Sequence, residues 1–245
     1  MASLLLLARA IRMVRQPVGL AAWFGRSRSY PNSVNYLRIE IMQDKKNAVS
    51  YLYINGLGDG RSSLLDIIID TWWRFKGKRL ERFSVNWYSA RNIDDLTSAV
   101  VRKIELLSNK SSHVVVIGSS AGGSLAINAL CTSNKRNLYA VVSRGRLKRG
   151  IFRPSDTSSL ENRSRKSKAF HDSVIKAEHN INQLTSSQKK RILLLLPLTD
   201  RIVPIDTMLI DGVTTHTSIA FGHYGGYLAH MIADIALMEK FVQRH

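Results

Sequence analysis

The sequence predicts an α/β fold with a mostly parallel central sheet and helices on both of its faces. Short runs rich in valine, isoleucine and leucine alternate along the chain with segments whose apolar residues recur at helical spacing. Several of the short runs lack polar alternation, which is typical of parallel strands buried on both faces. The 245 residues, 44% of them hydrophobic, are enough for one large domain of this class.

Turn residues on either side of the apolar runs set the expected bounds of the elements. An edge strand is expected over 37–42, and further strands over 50–54, 83–87, 114–117, 137–143, 191–196 and 214–221. Helices are expected over 64–73, 94–107, 124–130 and 227–242, the last of which closes the chain as a single helix. This alternation is what a parallel sheet covered on both faces requires.

Residues 1–36 are predicted to form a basic amphipathic arm before the folded domain, which we expect over 37–245. No acidic residue occurs before Glu40, and apolar residues recur at helical spacing between Leu4 and Val18. The leucine run is too short to cross a membrane and lacks the cleavage site of a secretory signal. Packing on the domain, contact with a membrane surface and an organelle transit peptide all fit such an arm. We expect a cytoplasmic or membrane-associated protein, with organelle targeting as the alternative.

A formal net charge of +18 predicts attraction to polyanions such as anionic membranes and nucleic acids. Specific nucleic-acid binding is not expected, because the chain has no zinc-finger spacing, RNA-binding aromatic signature or basic heptad region. Basic residues and serines are concentrated around 144–190. They predict a solvated helix and loop insertion, placed where a lid or a docking surface for an acidic partner could form. The single cysteine, Cys131, excludes an intramolecular disulfide.

The clearest chemical motif is the segment 118–122, which reads G-S-S-A-G and matches the pattern G-x-S-x-G. It lies between a predicted buried strand and a predicted helix, and such a sharp turn exposes the central serine, Ser120. The turn is crowded and requires small residues, which Gly118, Ala121 and Gly122 supply. The amino terminus of the helix then offers free N–H groups to a developing negative charge. Ser120 is therefore the expected nucleophile.

Two further groups, Asp200 and His223, follow the ends of the last two predicted strands. The carboxyl ends of parallel strands share one edge of the sheet, where sites usually form. A serine nucleophile needs a base, a histidine can serve as that base, and a carboxylate fixes the histidine tautomer. Asp206 could replace Asp200, and His216 or His230 could replace His223. We prefer the first pair because Asp206 lies where a helix should begin, His216 within a strand and His230 within a helix.

These residues resemble the α/β-hydrolase superfamily, and its serine esterases and lipases in particular. The resemblance covers roughly residues 48–243 and implies an eight-stranded, mostly parallel sheet. It rests on the serine turn, on Asp200 with Val203-Pro204, on Gly222-His223, and on the glycine-rich loop after Ile54.

The resemblance also implies an oxyanion hole, which binds the negative oxygen of a tetrahedral intermediate. Its donors would be the backbone N–H of Ala121 and that of Leu57 or Gly58. Many members of the superfamily carry His-Gly where this chain has Asn55-Gly56, so the sequence departs from the usual pattern at this loop.

The expected activity is cleavage of a carboxylic ester or thioester in a small-molecule acyl substrate, through an acyl-enzyme intermediate. Acyl transfer to an acceptor other than water would use the same residues. No cofactor and no metal is expected. The alternative is a catalytically inactive hydrolase-fold protein that docks on an anionic membrane or nucleic acid through its basic surface.

Overall fold

Six parallel strands form one sheet in the part of the chain that the computed structural model describes, residues 48–57, 64–88, 92–150 and 167–244. Each neighbouring pair of strands is parallel. In chain order the strands are β1 (Val49–Ile54), β2 (Leu80–Phe83), β3 (His113–Ser119), β4 (Leu138–Ser143), β5 (Ile192–Thr199) and β6 (Thr214–Phe221). Their order in the sheet is β2-β1-β3-β4-β5-β6. The parallel sheet confirms the predicted fold class.

Seven α-helices lie in the same described ranges. Their bounds are α1 (Leu64–Phe75), α2 (Ile93–Ser108), α3 (Ala121–Thr132), α4 (Lys168–Asn182), α5 (Ser186–Lys189), α6 (Gly222–Ile232) and α7 (Ile235–Gln243). A short 3-10 helix spans Ile205–Thr207. Polar side chains cap the amino termini of three helices. Asn92 accepts a hydrogen bond from the Asp94 N–H in α2, Ser167 accepts one from the Phe170 N–H in α4, and Thr185 accepts one from the Gln188 N–H in α5.

The pleat of the strands divides the core into two apolar layers, one on each face of the sheet. In β3, Val114 and Val116 point to one face, whereas Val115 and Ile117 point to the other. Helices α2, α3 and α4 pack on the first face, and α1, α6 and α7 pack on the second. Burial on both faces explains why the central strands are continuous apolar runs in the sequence.

The strand expected over 83–87 is wrong in its bounds. The strand at this position is β2, an edge strand that ends at Phe83 and whose residues are only half-buried. Val85 and Trp87, which suggested a strand, are instead buried in the following loop. The Trp87 indole N–H donates to the Asn55 carbonyl oxygen over 3.3 Å, so this loop is attached to the end of β1.

The single closing helix expected over 227–242 is also wrong. Helix α6 begins earlier, at Gly222, and α7 begins at Ile235 after a break. Gly222 has a φ of 72°, a backbone conformation that glycine adopts without steric cost because it has no Cβ. This conformation lets the chain turn directly from β6 into α6. His223 therefore lies in the first turn of a helix, whereas the sequence predicts a loop at this position.

Helix α4 corrects the prediction of a solvated insertion around 144–190. One side of this helix buries Phe170 and Val174 in the core layer that α2 and α3 share. On the same side, Ser173 Oγ lies 2.8 Å from Ser124 Oγ on α3. The charged residues of α4 occupy its other side, which is why the composition of the segment suggested full solvation.

Three predicted segments lie outside the described residues. They are the arm over 1–36, the edge strand over 37–42 and the middle of the basic insertion, 151–166. The described part holds six strands, against the eight that the resemblance implies for a whole domain. Among the described helices, none is both long and apolar enough to cross a bilayer.

Candidate active site

Ser120 lies at the sharp turn between β3 and α3. Its backbone has φ 53° and ψ −117°, and it is one of two non-glycine residues with positive φ in the described part. Such a conformation costs on the order of 1–3 kcal/mol and persists only where its surroundings hold it. Here the Ser120 N–H donates to the Ser143 carbonyl oxygen over 3.0 Å, and the Gly123 N–H donates to the Ser120 carbonyl oxygen over 3.0 Å. The strained turn presents the serine at the carboxyl edge of the sheet.

Glycines allow the strands and the helix to approach closely enough to form this turn. A Cβ added to Gly118 would lie 2.4 Å from the Gly122 carbonyl oxygen, and one added to Gly122 would lie 2.4 Å from the Ile54 carbonyl oxygen. A Cβ added to Gly123 would lie 2.8 Å from Gly145 Cα. Each neighbour is backbone and cannot rotate away. The close junction of β1, β3, β4 and α3 therefore depends on the absence of these side chains.

Asp200 and His223 form a buried hydrogen-bonded pair. His223 Nδ1 lies 2.7 Å from Asp200 Oδ2, with the Asp200 side chain fully buried and the His223 side chain 10% exposed. The other carboxylate oxygen, Oδ1, accepts hydrogen bonds from the Ile202 N–H over 2.7 Å and from the Val203 N–H over 3.0 Å. Both oxygens are thus held, and the orientation of the carboxylate toward the imidazole is fixed.

The charge of Asp200 determines the tautomer of His223. Burial raises the pKa of the Asp200 carboxyl, but the hydrogen bond and charge of His223, with the two backbone N–H groups, outweigh burial and hold this pKa below its usual range. An ionised carboxylate only accepts hydrogen bonds, so the imidazole proton lies on Nδ1 and Nε2 is left as an acceptor. A histidine in this state can remove a proton from a hydroxyl group.

Helix α6, which begins with Gly222 and His223, packs against the end of β4. A Cβ added to Gly226, one turn after His223, would lie 2.7 Å from Arg144 Cδ at the end of β4. Strand β4 is the neighbour of β3, which leads to Ser120. Ser120, Asp200 and His223 follow the carboxyl ends of β3, β5 and β6, and because these strands are parallel, all three residues lie at one edge of the sheet.

The segment after β1 borders the Ser120 side chain. A Cβ added to Gly56 would lie 3.1 Å from Ser120 Cβ and 3.7 Å from Ser120 Oγ. Asn55 anchors this segment, because its Oδ1 accepts a hydrogen bond from the Val85 N–H over 2.6 Å and its Nδ2 donates to the Val85 carbonyl oxygen over 3.2 Å. Asn55, which stands where many members of the superfamily have histidine, therefore joins the segment after β1 to the loop after β2.

Two of the three expected oxyanion donors, Ala121 and Leu57, lie within the described residues. Ala121 is the first residue of α3, where N–H groups have no carbonyl partner within the helix. Leu57 directly follows Gly56 and is half-buried, whereas Gly58 lies outside the described residues. The amino terminus of α3 adds a partial positive charge close to the serine.

The same fold recurs in solved structures of hydrolases. An α/β hydrolase from the metagenome of lagoon sediments at Mar Chica, Morocco, is 18% identical, with a TM-score of 0.56 over 81% of this chain and 93% of that chain. A pyrethroid hydrolase from Sphingobium faniae JZ-2 is 12% identical, with a TM-score of 0.57 over 81% and 100% of the two chains. A monoacylglycerol lipase from Paleococcus ferrophilus is 13% identical, with a TM-score of 0.52 over 82% and 97%. This is the α/β-hydrolase fold.

The likeness to these structures concerns the α/β-hydrolase fold, because the identities are low. No protein-family model and no curated protein matches the sequence. The fold confirms the resemblance that the serine turn, the aspartate and the histidine predict, and it leaves their chemistry to be argued from the site itself.

The alternative candidates lie elsewhere in the α/β-hydrolase fold. Asp206 is exposed in the short 3-10 helix after β5, and His216 is half-buried on β6. His230 is fully buried in α6, with Nδ1 2.7 Å from Ser143 Oγ and Nε2 2.9 Å from Ser218 Oγ. His230 is thus held between two hydroxyl groups, whereas His223 is held by a carboxylate.

Sequence reasoning missed Arg144, a buried arginine directly behind the serine turn. It is 2% exposed, has a φ of 53°, and donates from Nη2 to Ser119 Oγ over 2.7 Å and from Nε to Ser143 Oγ over 3.3 Å. Its guanidinium carbon lies 5.3 Å from the centre of the Tyr227 ring on α6. Arg144 therefore links the serine turn to the helix that bears His223. Its position at the end of a predicted strand was the one sequence signal that could have singled it out.

Proposed function

We propose that this protein is a serine hydrolase of carboxylic esters or thioesters, with Ser120 as nucleophile, His223 as base and Asp200 as the carboxylate partner. The observation that carries the proposal is the combination of a strained serine turn with a buried Asp200–His223 pair at the same edge of the sheet. The names of the similar structures, which include a lipase and a pyrethroid hydrolase, agree with it. The substrate is a small acyl compound.

In the first step of the proposed reaction, Ser120 Oγ attacks the carbonyl carbon and its proton passes to His223 Nε2. The imidazolium that forms is stabilised by Asp200, whose pKa is held low so that the carboxylate stays ionised. The two backbone N–H groups on Asp200 Oδ1 keep the carboxylate aligned while the charge of the imidazole changes.

The tetrahedral intermediate places a negative charge on the former carbonyl oxygen. In this proposal that oxygen accepts hydrogen bonds from the N–H of Ala121 and from the N–H of Leu57 or Gly58. Collapse of the intermediate expels the alcohol or thiol, which takes its proton from His223, and leaves an acyl ester on Ser120. Water, deprotonated by the same imidazole, then releases the acid. An acceptor other than water would complete an acyl transfer instead.

Covalent labelling tests the nucleophile. A fluorophosphonate probe should form one adduct with the native protein, mapped to the peptide containing 118–122, and none with Ser120→Ala. Ser119→Ala is the matched control, because it removes the neighbouring hydroxyl, which accepts a hydrogen bond from Arg144, and leaves the proposed nucleophile in place. Labelling of the Ser120→Ala protein would overturn the assignment.

Turnover of acyl esters of graded chain length tests the reaction. Ser120→Ala should lose on the order of 10⁴–10⁶ in rate, because the three residues act as a unit. A variant that kept a tenth of native turnover would refute the proposed role. A native protein that neither reacts with the probe nor turns over any ester would instead fit the inactive hydrolase-fold alternative.

The membrane contact expected of the arm and the basic insertion stays a prediction, because residues 1–36 and 151–166 lie outside the described residues.

A further inference from the structure

Helix α1 carries two apolar stripes, and one of them faces away from the core. Ile69 and Trp73 form the inner stripe; both are fully buried, and the Trp73 indole N–H donates to the Met231 carbonyl oxygen over 2.7 Å. The opposite side of the helix carries what we call the outer stripe, at spacing i, i+3, i+4, i+7 and i+11. Its members are Leu64, Ile67, Ile68, Thr71 and Phe75. A surface helix normally places polar residues on this side.

Three of the large apolar residues in the outer stripe are strongly exposed, and Ile68 is half-buried. Leu64 is 73% exposed, Ile67 is 60% exposed and Phe75 is 61% exposed. Trp72 extends the apolar area along one border of the stripe, and its indole N–H is already donated to the Ile232 carbonyl oxygen over 3.0 Å. Single exposed apolar residues are common on proteins, but a contiguous group of large ones marks a contact surface.

Cations border the outer stripe at the carboxyl-terminal end of α1. Arg74, Lys76 and Arg79 are all exposed where α1 ends and the chain turns toward β2. Lys76 Nζ lies 4.9 Å from the centre of the Trp72 ring and 6.0 Å from that of the Phe75 ring, so this ammonium group borders the apolar area directly. We call these three cations the basic rim.

Of the basic rim, Arg79 is partly offset by Glu81, whose Oε1 lies 3.4 Å from Arg79 Nε. The acidic residues of α1 do not offset Arg74 and Lys76, because Arg82 already binds both of them. Arg82 Nη1 lies 2.9 Å from Asp66 Oδ1, and Arg82 Nη2 lies 2.8 Å from Asp70 Oδ1. The Tyr227 hydroxyl also donates to Asp66 Oδ1 over 2.9 Å. The two carboxylates are directed toward β2 and α6, which leaves the outer face of α1 apolar along its centre and positive at its border.

We propose that the outer stripe and the basic rim dock this protein on an anionic phospholipid surface. A membrane offers an apolar layer for the stripe and negative headgroups for the rim. A second copy of this chain would bring an identical positive rim against the first. The amino-terminal arm has no acidic residue before Glu40 and is also basic. Like charges disfavour both of these occupants, so an anionic membrane is the one that complements the patch in polarity and in charge.

The position of α1 relates the docking surface to the candidate active site. Because α1 follows the carboxyl end of β1, its first turn lies at the edge of the sheet that bears Ser120. Leu64, the most exposed member of the stripe, is in that turn. The inference does not rest on the proposed catalysis, because docking is measured as binding and is expected equally of the Ser120→Ala protein.

Co-sedimentation of the full chain with vesicles tests the surface. The protein should pellet with phosphatidylcholine vesicles that contain about one part in four of phosphatidylserine, and far less with phosphatidylcholine alone or at high salt. Ile67→Ser and Phe75→Ser should each weaken binding at least about tenfold, because each removes a large apolar side chain from the lipid contact. Leu106→Ser is the matched control, since Leu106 is 59% exposed on α2 at the other face of the sheet. Unchanged binding of the stripe variants, or an equal loss in the control, would overturn the inference.

A polarity-sensitive fluorophore distinguishes the possible occupants of the stripe. Phe75→Cys in a Cys131→Ser background gives one thiol on the stripe, and Leu106→Cys in the same background gives one of matched exposure elsewhere, 61% against 59%. Membrane docking predicts a blue shift of emission at position 75 alone and only when anionic vesicles are added. A blue shift without vesicles that grows with protein concentration would identify a second copy of the chain. A shift without vesicles that does not depend on concentration would identify cover by the arm, and either result would refute lipid as the occupant.

Discussion

Replacement of Gly122 by alanine is expected to weaken both the fold and the reaction, because the new methyl group has no space at the serine turn. A Cβ at this position would lie 2.4 Å from the Ile54 carbonyl oxygen and 2.8 Å from the Asn55 carbonyl oxygen, whereas ordinary contact begins at 3.4 Å. Both neighbours are backbone atoms at the end of β1. The amino terminus of α3 must therefore move away from β1 by about 1 Å.

The size of the effect follows from this displacement. Overpacking of a tight interior costs about 1–3 kcal/mol, against which alanine gains up to about 1 kcal/mol over glycine within a helix. The shift also separates Ala121 on α3 from the segment after β1, which bears the second proposed oxyanion donor, Leu57 or Gly58. A misplacement of about 1 Å at a reacting centre lowers the rate by about 10²-fold. We therefore expect Gly122→Ala to be moderately destabilised and to lose about two orders of magnitude in kcat/KM.

Urea unfolding and hydrolysis of a short-chain p-nitrophenyl ester measure the two effects. The stability control is Gly225→Ala in α6, where an added Cβ meets nothing within 4 Å and the expected change is a gain of up to about 1 kcal/mol. A Gly122→Ala protein with native unfolding free energy and more than half of the native kcat/KM would refute the close junction of β1 with α3.

Two further predictions concern the buried polar groups behind the serine turn. Arg144→Met removes the charged hydrogen bond to Ser119 and should lower the free energy of unfolding by about 1.5–3 kcal/mol. It should also lower kcat and leave KM nearly unchanged, since it alters the serine turn and not a substrate contact. An effect on KM alone would contradict this role. Burial, followed by the charge of Arg144, lowers the pKa of His230 from 6.5 to about 3, so below pH 6.5 the unfolded chain binds a proton that the folded chain does not. The free energy of unfolding of the native protein should therefore fall as the pH drops from 6.5 toward 3. In denaturant titrations, the difference in this free energy between the native protein and His230→Gln should narrow across the same pH range. A difference that stays constant would show that His230 is protonated when folded.

The sequence predicts those parts of the fold whose burial is decided locally. Strands β3 and β5 are continuous apolar runs because each is buried on both faces, and this pattern is visible without any partner. Strand β2 is misplaced because it lies at an edge and is only half-buried, while the apolar Val85 and Trp87 beyond it fill the core from a loop. What the loop packs against is Asn55, about thirty residues earlier in the chain. A contact between residues so far apart in the chain cannot be predicted from the local sequence pattern.

The same distinction applies to the candidate site. Ser120 stands out because its strained turn requires a local sequence of small residues, and Asp200 and His223 stand out because each ends a strand. Arg144 also ends a strand, but its importance lies in its contacts with Ser119 and with α6, which are made through space. In the sequence it is one basic residue among many.

The choice between His223 and His230 rests on electrostatics that only the fold supplies. Both histidines lie on α6, and both hold hydrogen bonds at Nδ1. At His223 the partner is the Asp200 carboxylate, whose pKa is held low so that it carries a negative charge. At His230 the partner is a hydroxyl group, and burial together with the charge of Arg144 disfavours protonation. A base must hold the proton that it removes, and of these two residues only His223 is hydrogen-bonded to a carboxylate, 2.7 Å from Nδ1.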